Sequence, residues 1–112
     1  MCGISGFIKF QNNLSVDSLK KYSLLMANTL EKRGPDQLGY WCDETSGIAL
    51  SHRRLSIIDL STKANQPMVS FNKRYIIVFN GEIYNFKIIR LYLKEKIQFK
   101  TNSDTEVLLE LI

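Results

Sequence analysis

A cysteine at position 2, directly behind the initiator Met1, is the first residue here whose type and place suggest chemistry. Its side chain is small enough for the initiator methionine to be removed, which would leave a thiol and an α-amine on one residue. A free α-amine titrates at about 7.7–8.0 and a thiol at about 8.5, so near neutral pH one can take the other's proton. Nucleophile and base on a single residue is a working arrangement for N-terminal nucleophiles. The plain alternative is that Cys2 is a small apolar residue opening a buried strand.

Four further positions admit two readings each. Asn80-Gly81-Glu82 follows an apolar run, and Asn-Gly between β-like segments is the standard signal for a type I′ hairpin. The residues after it lead toward a helix rather than a return strand. A strand end presenting a carboxamide and a Gly N–H is also what an oxyanion hole requires. Arg53-Arg54 closes another apolar strand and could be a solvated strand end, or one of the two could grip a carboxylate through its planar fork. Asp104 opens a helix, where it complements the dipole and could also hold an ammonium. His52 is the only histidine and invites a Cys2–His52–Asp59 triad, although its place inside a strand favours a structural role. Cys42 has no metal-ligand spacing around it, and no zinc pattern occurs, so no metal site is expected.

The elements that must carry these residues follow from periodicity. Residues 3–10 read as a buried strand. Ser15 caps a helix over 16–32, with Leu19, Tyr22, Met26 and Leu30 at helical spacing. Gly34 and Pro35 should end that helix, Gly34 as its C-cap. Strands are expected at 37–43 and 47–55, joined by the polar turn 44–46. Residues 62–67 read as a loop, and 74–79 as the clearest strand of the chain. Asn85 can cap a second helix over 86–96 with the stripe Phe86, Ile89, Leu93 and Ile97, followed by a short strand at 98–100. Ser103-Asp104-Thr105-Glu106 is a capping-box sequence for a third helix. That helix still presents Val107, Leu108 and Leu111 at the last residue, so the chain reads as cut within a larger αβ domain.

Composition narrows the function classes. The 112 residues fit one domain, and 45% hydrophobic with 23% charged is ordinary for a globular protein. A net charge of +4, spread over scattered basic residues, argues against nucleic-acid binding. The N-terminus has no basic, apolar leader pattern, and the apolar run around Ile76 is far too short to cross a bilayer. A cytoplasmic protein with two free thiols and no membrane partner is the expectation.

Read together, Met1-Cys2-Gly3-Ile4-Ser5-Gly6, Arg33-Gly34-Pro35-Asp36, the segment from Ser51-His52-Arg53-Arg54-Leu55 through Ser56-Ile57-Ile58-Asp59, Gln66-Pro67-Met68, Asn80-Gly81-Glu82-Ile83-Tyr84-Asn85 and Ser103-Asp104-Thr105-Glu106 resemble the glutaminase domain of asparagine synthetases. These are class II glutamine amidotransferases, and the likeness runs through nearly the whole chain. The resemblance implies an α+β fold, the αββα sandwich of N-terminal-nucleophile hydrolases, of which residues 1–112 would be the N-terminal portion without a synthetase domain.

It also implies roles. Cys2 attacks the glutamine side-chain amide, Asn80 and the Gly81 N–H hold the oxyanion, and Arg54 grips the α-carboxylate. Asp104 and Glu82 receive the α-ammonium, while Leu55 and Ile57 line the pocket. The products are glutamate and ammonia, the latter passed to a synthetase domain or subunit for an asparagine synthetase-type amidation. No cofactor is expected in this region, ATP and magnesium belonging to the synthetase domain. A homo-oligomer stays open. The alternatives are a non-catalytic, partner-binding fragment of such a domain, or an ammonia donor to a sugar or cell-surface amidotransferase. An amidase with a non-glutamine substrate is disfavoured by the pair Arg54 and Asp104, which suits a free amino acid.

Overall fold

The computed structural model describes residues 1–11 and 13–112. Three antiparallel strands form the main sheet: β1 (Gly3–Ile8), β2 (Gln37–Asp43) and β3 (Ile48–Arg54), in the order β1-β3-β2. β2 and β3 are joined by a turn in which the Asp43 carboxylate accepts from the Thr45 N–H at 3.1 Å and the Ser46 hydroxyl at 2.5 Å. Gly47 closes the turn at φ 67°, a left-handed conformation that glycine adopts at little cost.

The twofold period of β3 sorts its residues. Ser51 and Arg53 face helix α1 (Val16–Asn28): the Ser51 hydroxyl donates to the Ser23 carbonyl, and Arg53 donates to the Ala27 carbonyl and the Asn28 side chain. His52 and Arg54 therefore point to the other face. There Gly39 lets the Gln66 carbonyl approach so closely that a Cβ would lie 2.0 Å from it, and His52 donates to the Phe79 carbonyl at 3.3 Å.

Several elements differ from expectation for identifiable reasons. α1 ends at Asn28 rather than 32, its last turn closed by Thr29, whose N–H and hydroxyl both bond to Met26 O. Its buried line is Leu19, Ser23 and Ala27, whereas Tyr22 and Met26 are exposed. Small side chains on that line bring the helix close enough for Arg53 to reach its last carbonyls. Gly34 is not the C-cap of α1; its hydrogen-bonded turn lies against β3, where a Cβ would meet the Arg53 carbonyl carbon at 2.3 Å. β1 is an edge strand, shorter than expected and largely not buried: Ile4 and Ile8 are exposed, since they lie on the face away from α1, and Phe10, beyond the strand, is exposed as well.

The second sheet is the hairpin of β4 (Met68–Val69) with β5 (Ile76–Ile77), turning through Lys73 at φ 58°. β4 begins directly after the segment expected to be loop, 62–67. β5 covers only the centre of the expected 74–79 strand, since the Phe79 N–H is taken by the Gln66 side chain instead of a ladder partner. α2 (Phe86–Leu93) is shorter than the stripe suggests, and Asn85 makes no side-chain cap.

Residues 98–100 form no strand, because the Glu106 carboxylate takes the Lys100 and Thr101 N–H groups at 2.8 and 2.7 Å. α3 (Asp104–Leu111) starts where expected, with Ser103 accepting the Glu106 N–H at 3.2 Å. Glu106 does not return the bond to Ser103, so only half of the capping box forms. α3 packs against α2 and β5 and buries Thr105, Val107 and Leu109. The outcome is a small mixed α/β domain, with α1 on one face of the main sheet and the chain around the second sheet on the other.

Candidate functional site

The strand ends and loops on the face away from α1 enclose a cavity of about 320 Å³. All of the residues to which the family resemblance gave a site role line it: Cys2, Arg54, Leu55, Ile57, Asn80, Gly81, Glu82 and Asp104. They come from four separate stretches of chain, so their meeting is a product of the tertiary fold.

Cys2 stands just before β1, whose antiparallel register with β3 sets Gly3 opposite Arg53. This brings the half-buried Cys2 thiol onto the Leu55 peptide. The Leu55 N–H donates to Sγ at 3.3 Å, and the thiol donates to the Leu55 carbonyl at 3.7 Å. The motif at 33–36 braces the same strand end from behind. Arg33 Nε donates to the Cys2 carbonyl at 3.3 Å, the Asp36 N–H to Arg54 O at 3.0 Å, and the Ser56 N–H to the Asp36 carboxylate at 2.7 Å.

Arg54 is only 7% exposed. Its Nη1 donates to the Gln37 side-chain oxygen and the Ser61 carbonyl, each at 2.9 Å, and to the Asn65 side-chain oxygen at 3.2 Å. Nη2 donates to the Asp59 carbonyl. Four oxygens thus fix the plane of the guanidinium, which leaves Nε–H and the second Nη2 proton for other partners. Of the two arginines the sequence left open, strand alternation selects this one. Arg53 is held under α1 with Glu31 at 4.0 Å.

Asp104 opens α3 and is 5% exposed. One carboxylate oxygen accepts the Ile83 N–H at 2.9 Å, tying α3 to the segment that follows Asn80-Gly81. Glu82 is exposed on the cavity wall. The pocket therefore has a fixed cation in one part and carboxylates in another, an arrangement complementary to a zwitterion.

The type I′ hairpin reading of Asn80-Gly81 fails. Such a turn needs positive φ at both central residues, and among the described residues only Lys73 and Gly47 have it. Gly81 instead lies against the Phe79 ring, which a Cβ at this position would meet at 2.6 Å and have to displace.

The triad is not assembled either. His52 bonds to Phe79 O, Cys2 to Leu55, and the Asp59 carboxylate to the Ser61 and Asn102 N–H groups at 2.8 and 2.7 Å. Burial pushes the His52 ring below its usual range, the Phe79 bond opposing and Arg54 adding to the effect. Bonds from Ser61, first through its side chain, and then from Asn102 hold Asp59 below the ordinary carboxylate range. Cys42 lies on β2 away from the cavity, and burial pushes its thiol up against the pull of Lys20. Among the described residues no group of three His, Cys, Asp or Glu side chains could hold a metal ion, and no helix is long and apolar enough to cross a membrane.

Sequence reasoning assigned no site role to Gln66, Phe79, Ser103 and Thr105, which also line the cavity. Gln66, Phe79 and Thr105 are placed by bonds to residues far along the chain, whereas Ser103 is held locally by Thr101 and Glu106; only the neighbourhood of Asn80 and Asp104 could have pointed to Phe79, Ser103 and Thr105.

Several known proteins are similar to this chain along nearly its whole length. An asparagine synthetase [glutamine-hydrolyzing] 3 from Bacillus subtilis is 38% identical over 97% of this chain and 17% of its own length. Asparagine synthetase B from Escherichia coli is 36% identical over 99% of this chain and 19% of its own. An amidase chry2 from Gibberella zeae is 35% identical over 99% and 18%. The chain thus spans less than a fifth of the length of these curated relatives. Residues 1–112 match the family described as glutamine amidotransferase domain, and the chain belongs to that family.

Proposed function

We propose that this domain hydrolyses glutamine to glutamate and ammonia, and that the ammonia serves an asparagine synthetase-type amidation in a synthetase domain or subunit. The observation that carries this reading is the convergence of Cys2, Arg54, Asn80-Gly81 and Asp104 on one cavity. After loss of Met1, which is 76% exposed and lines the same cavity, the Cys2 α-amine takes the thiol proton. Sγ then attacks the side-chain amide carbon of glutamine, the C=O electrons moving to an oxyanion held by the Asn80 carboxamide and the Gly81 N–H. As the tetrahedral adduct collapses, the C–N bond breaks and the α-ammonium returns its proton to the departing nitrogen, giving ammonia and a thioester. Water, deprotonated by the same amine, attacks the thioester, and glutamate leaves as the thiol is restored.

Arg54 holds the substrate α-carboxylate through its remaining donors, and Asp104 with Glu82 holds the α-ammonium. The reading extends the fold to the αββα sandwich of N-terminal-nucleophile hydrolases, supported by α1 on one face of the main sheet and the second sheet beyond the other. ATP and magnesium would act at the acceptor site, outside these residues, and the cytoplasm is the compartment that suits free thiols. The exposed apolar residues Ile4 and Ile8 of β1, with Phe10 just beyond it, favour a second reading in which the chain chiefly docks a partner.

The test is a mutant pair. Cys2→Ala abolishes glutamine hydrolysis and labelling by a glutamine-like electrophile, whereas Cys42→Ala keeps both. Equal behaviour of the two, or labelling at Cys42, sinks the nucleophile assignment.

A further inference from the structure

Asn80 and Gly81 are themselves exposed and lie outside any helix or strand. An oxyanion hole works only if its donors are fixed before the reaction, so something must hold this segment. The residue before Asn80 is gripped on three sides. The Phe79 N–H donates to the Gln66 side-chain oxygen at 2.5 Å, the Phe79 carbonyl accepts from His52 Nε2 at 3.3 Å, and its ring lies so near Gly81 that a Cβ there would meet it at 2.6 Å. Gln66 has a second contact: its Nε2 donates to the Thr105 hydroxyl at 3.3 Å, next to Asp104. At 7% exposed, it is a buried amide with both ends satisfied.

We propose that Gln66 is a positioning residue that sets the Asn80-Gly81 pair at a fixed distance from Asp104, through Phe79 on one side and Thr105 on the other. This rests on the proposed glutaminase reaction. In that reaction the scissile amide of glutamine must reach the oxyanion donors while its α-ammonium is held at Asp104. One side chain that bonds beside both ends acts as the spacer between them. The Gln66 backbone is itself seated by Gly39, which leaves no room for a side chain beneath it. Gln66 does not touch the reacting atoms in this scheme, so its loss should act on turnover rather than on substrate capture.

The experiment is steady-state glutamine hydrolysis, normalised to Cys2 sites titrated with a glutamine-like electrophile, for the wild-type chain, Gln66→Met, Gln66→Glu and Thr105→Val. Gln66→Met keeps the length and removes both bonds. It is expected to lower kcat by about 10- to 100-fold while KM for glutamine moves less than about threefold, because misplacement penalises the transition state first. Gln66→Glu can accept the Phe79 N–H and, when protonated, donate to Thr105. Its kcat relative to wild type should recover and rise as pH falls, a response that a general loss of packing would not produce.

If Gln66→Met yields no titratable sites, Thr105→Val carries the test, with a kcat loss of at least about threefold expected from freeing one end of the amide. Unchanged kcat in Gln66→Met, or in Thr105→Val where it stands in, overturns the proposal, as does an effect confined to KM. A wild-type chain without Cys2-dependent hydrolysis overturns the proposed function and this role with it. Active wild type with an unaffected variant overturns only the role of Gln66.

Discussion

Replacing Arg54 by Lys keeps the charge and removes the fork, and the structure predicts two separable consequences. Arg54 bonds four oxygens from two nitrogens. A lysine ammonium is a point donor on a flexible stem and cannot span them. The Ser61 carbonyl belongs to an exposed residue and can be rehydrated, and the ammonium can keep one partner such as the Asp59 carbonyl, which leaves the oxygens of half-buried Gln37 and Asn65. Two such oxygens left short of a partner cost about 1 kcal/mol each, or roughly 2 kcal/mol in all. For a domain of this size that is a fall in Tm of roughly 8–16 °C.

The second consequence concerns glutamine. One lost charge-assisted bond to the α-carboxylate is worth about 1.5–3 kcal/mol, roughly one to two decades in KM. Asp104→Asn is the companion variant. Its carboxamide oxygen can still accept the Ile83 N–H, so Tm should hardly move while KM rises by a similar factor. The assay is glutamine hydrolysis over a KM-spanning range, with thermal denaturation of the same samples. A lowered Tm with unchanged KM in Arg54→Lys would make Arg54 a structural residue only. Unchanged KM in both variants would refute the substrate orientation altogether.

Intact-mass measurement of native material should find the chain beginning at Cys2; active protein retaining Met1 would remove the proposed base. His52→Gln should keep most glutaminase activity, since the ring bonds Phe79 and not Cys2, and a loss as deep as that of Cys2→Ala would revive the triad. The same variant has a pH signature. The folded His52 is held below its usual value by burial, and Nδ1 is buried without a hydrogen-bond partner. The unfolded chain therefore binds the proton first. Its neutral form stabilises the fold above about pH 6.5, and that contribution is lost as pH falls toward the lower folded value. Wild-type stability should decline over that window, and in His52→Gln this part of the slope should vanish; parallel curves would show that His52 does not titrate as described.

Much of the candidate site could be read from local signals. Ser15 and Ser103 cap their helices as expected because a cap depends on residues three positions apart. β2 appears with the expected bounds, and β3 within one residue at each end, because alternation and a turn between them are local properties. Cys2 drew attention by standing next to Met1, and Asn80-Gly81 by lacking a return strand. Tertiary structure decided what these signals left open.

The choice between Arg53 and Arg54 depends on which face of β3 α1 covers, and α1 lies on the side of Ala49, Ser51 and Arg53 through Ser23 and Ala27. For the same reason Tyr22 and Met26 of the helical stripe are exposed while Ser23 and Ala27 are buried, since helical period gives a stripe but not the angle at which a sheet receives it. Glu106 left the capping box for the Lys100 and Thr101 amides, a competition between a local bond and a folded-back loop. Gln66 was legible only as part of the segment Gln66-Pro67-Met68, without a role, because both of its side-chain bonds, to Phe79 and Thr105, close loops of 13 and 39 residues. Side-chain type and spacing along the chain name the groups that can do chemistry. Which of them meet, and what holds them there, is set by packing between segments whose separation no local pattern records.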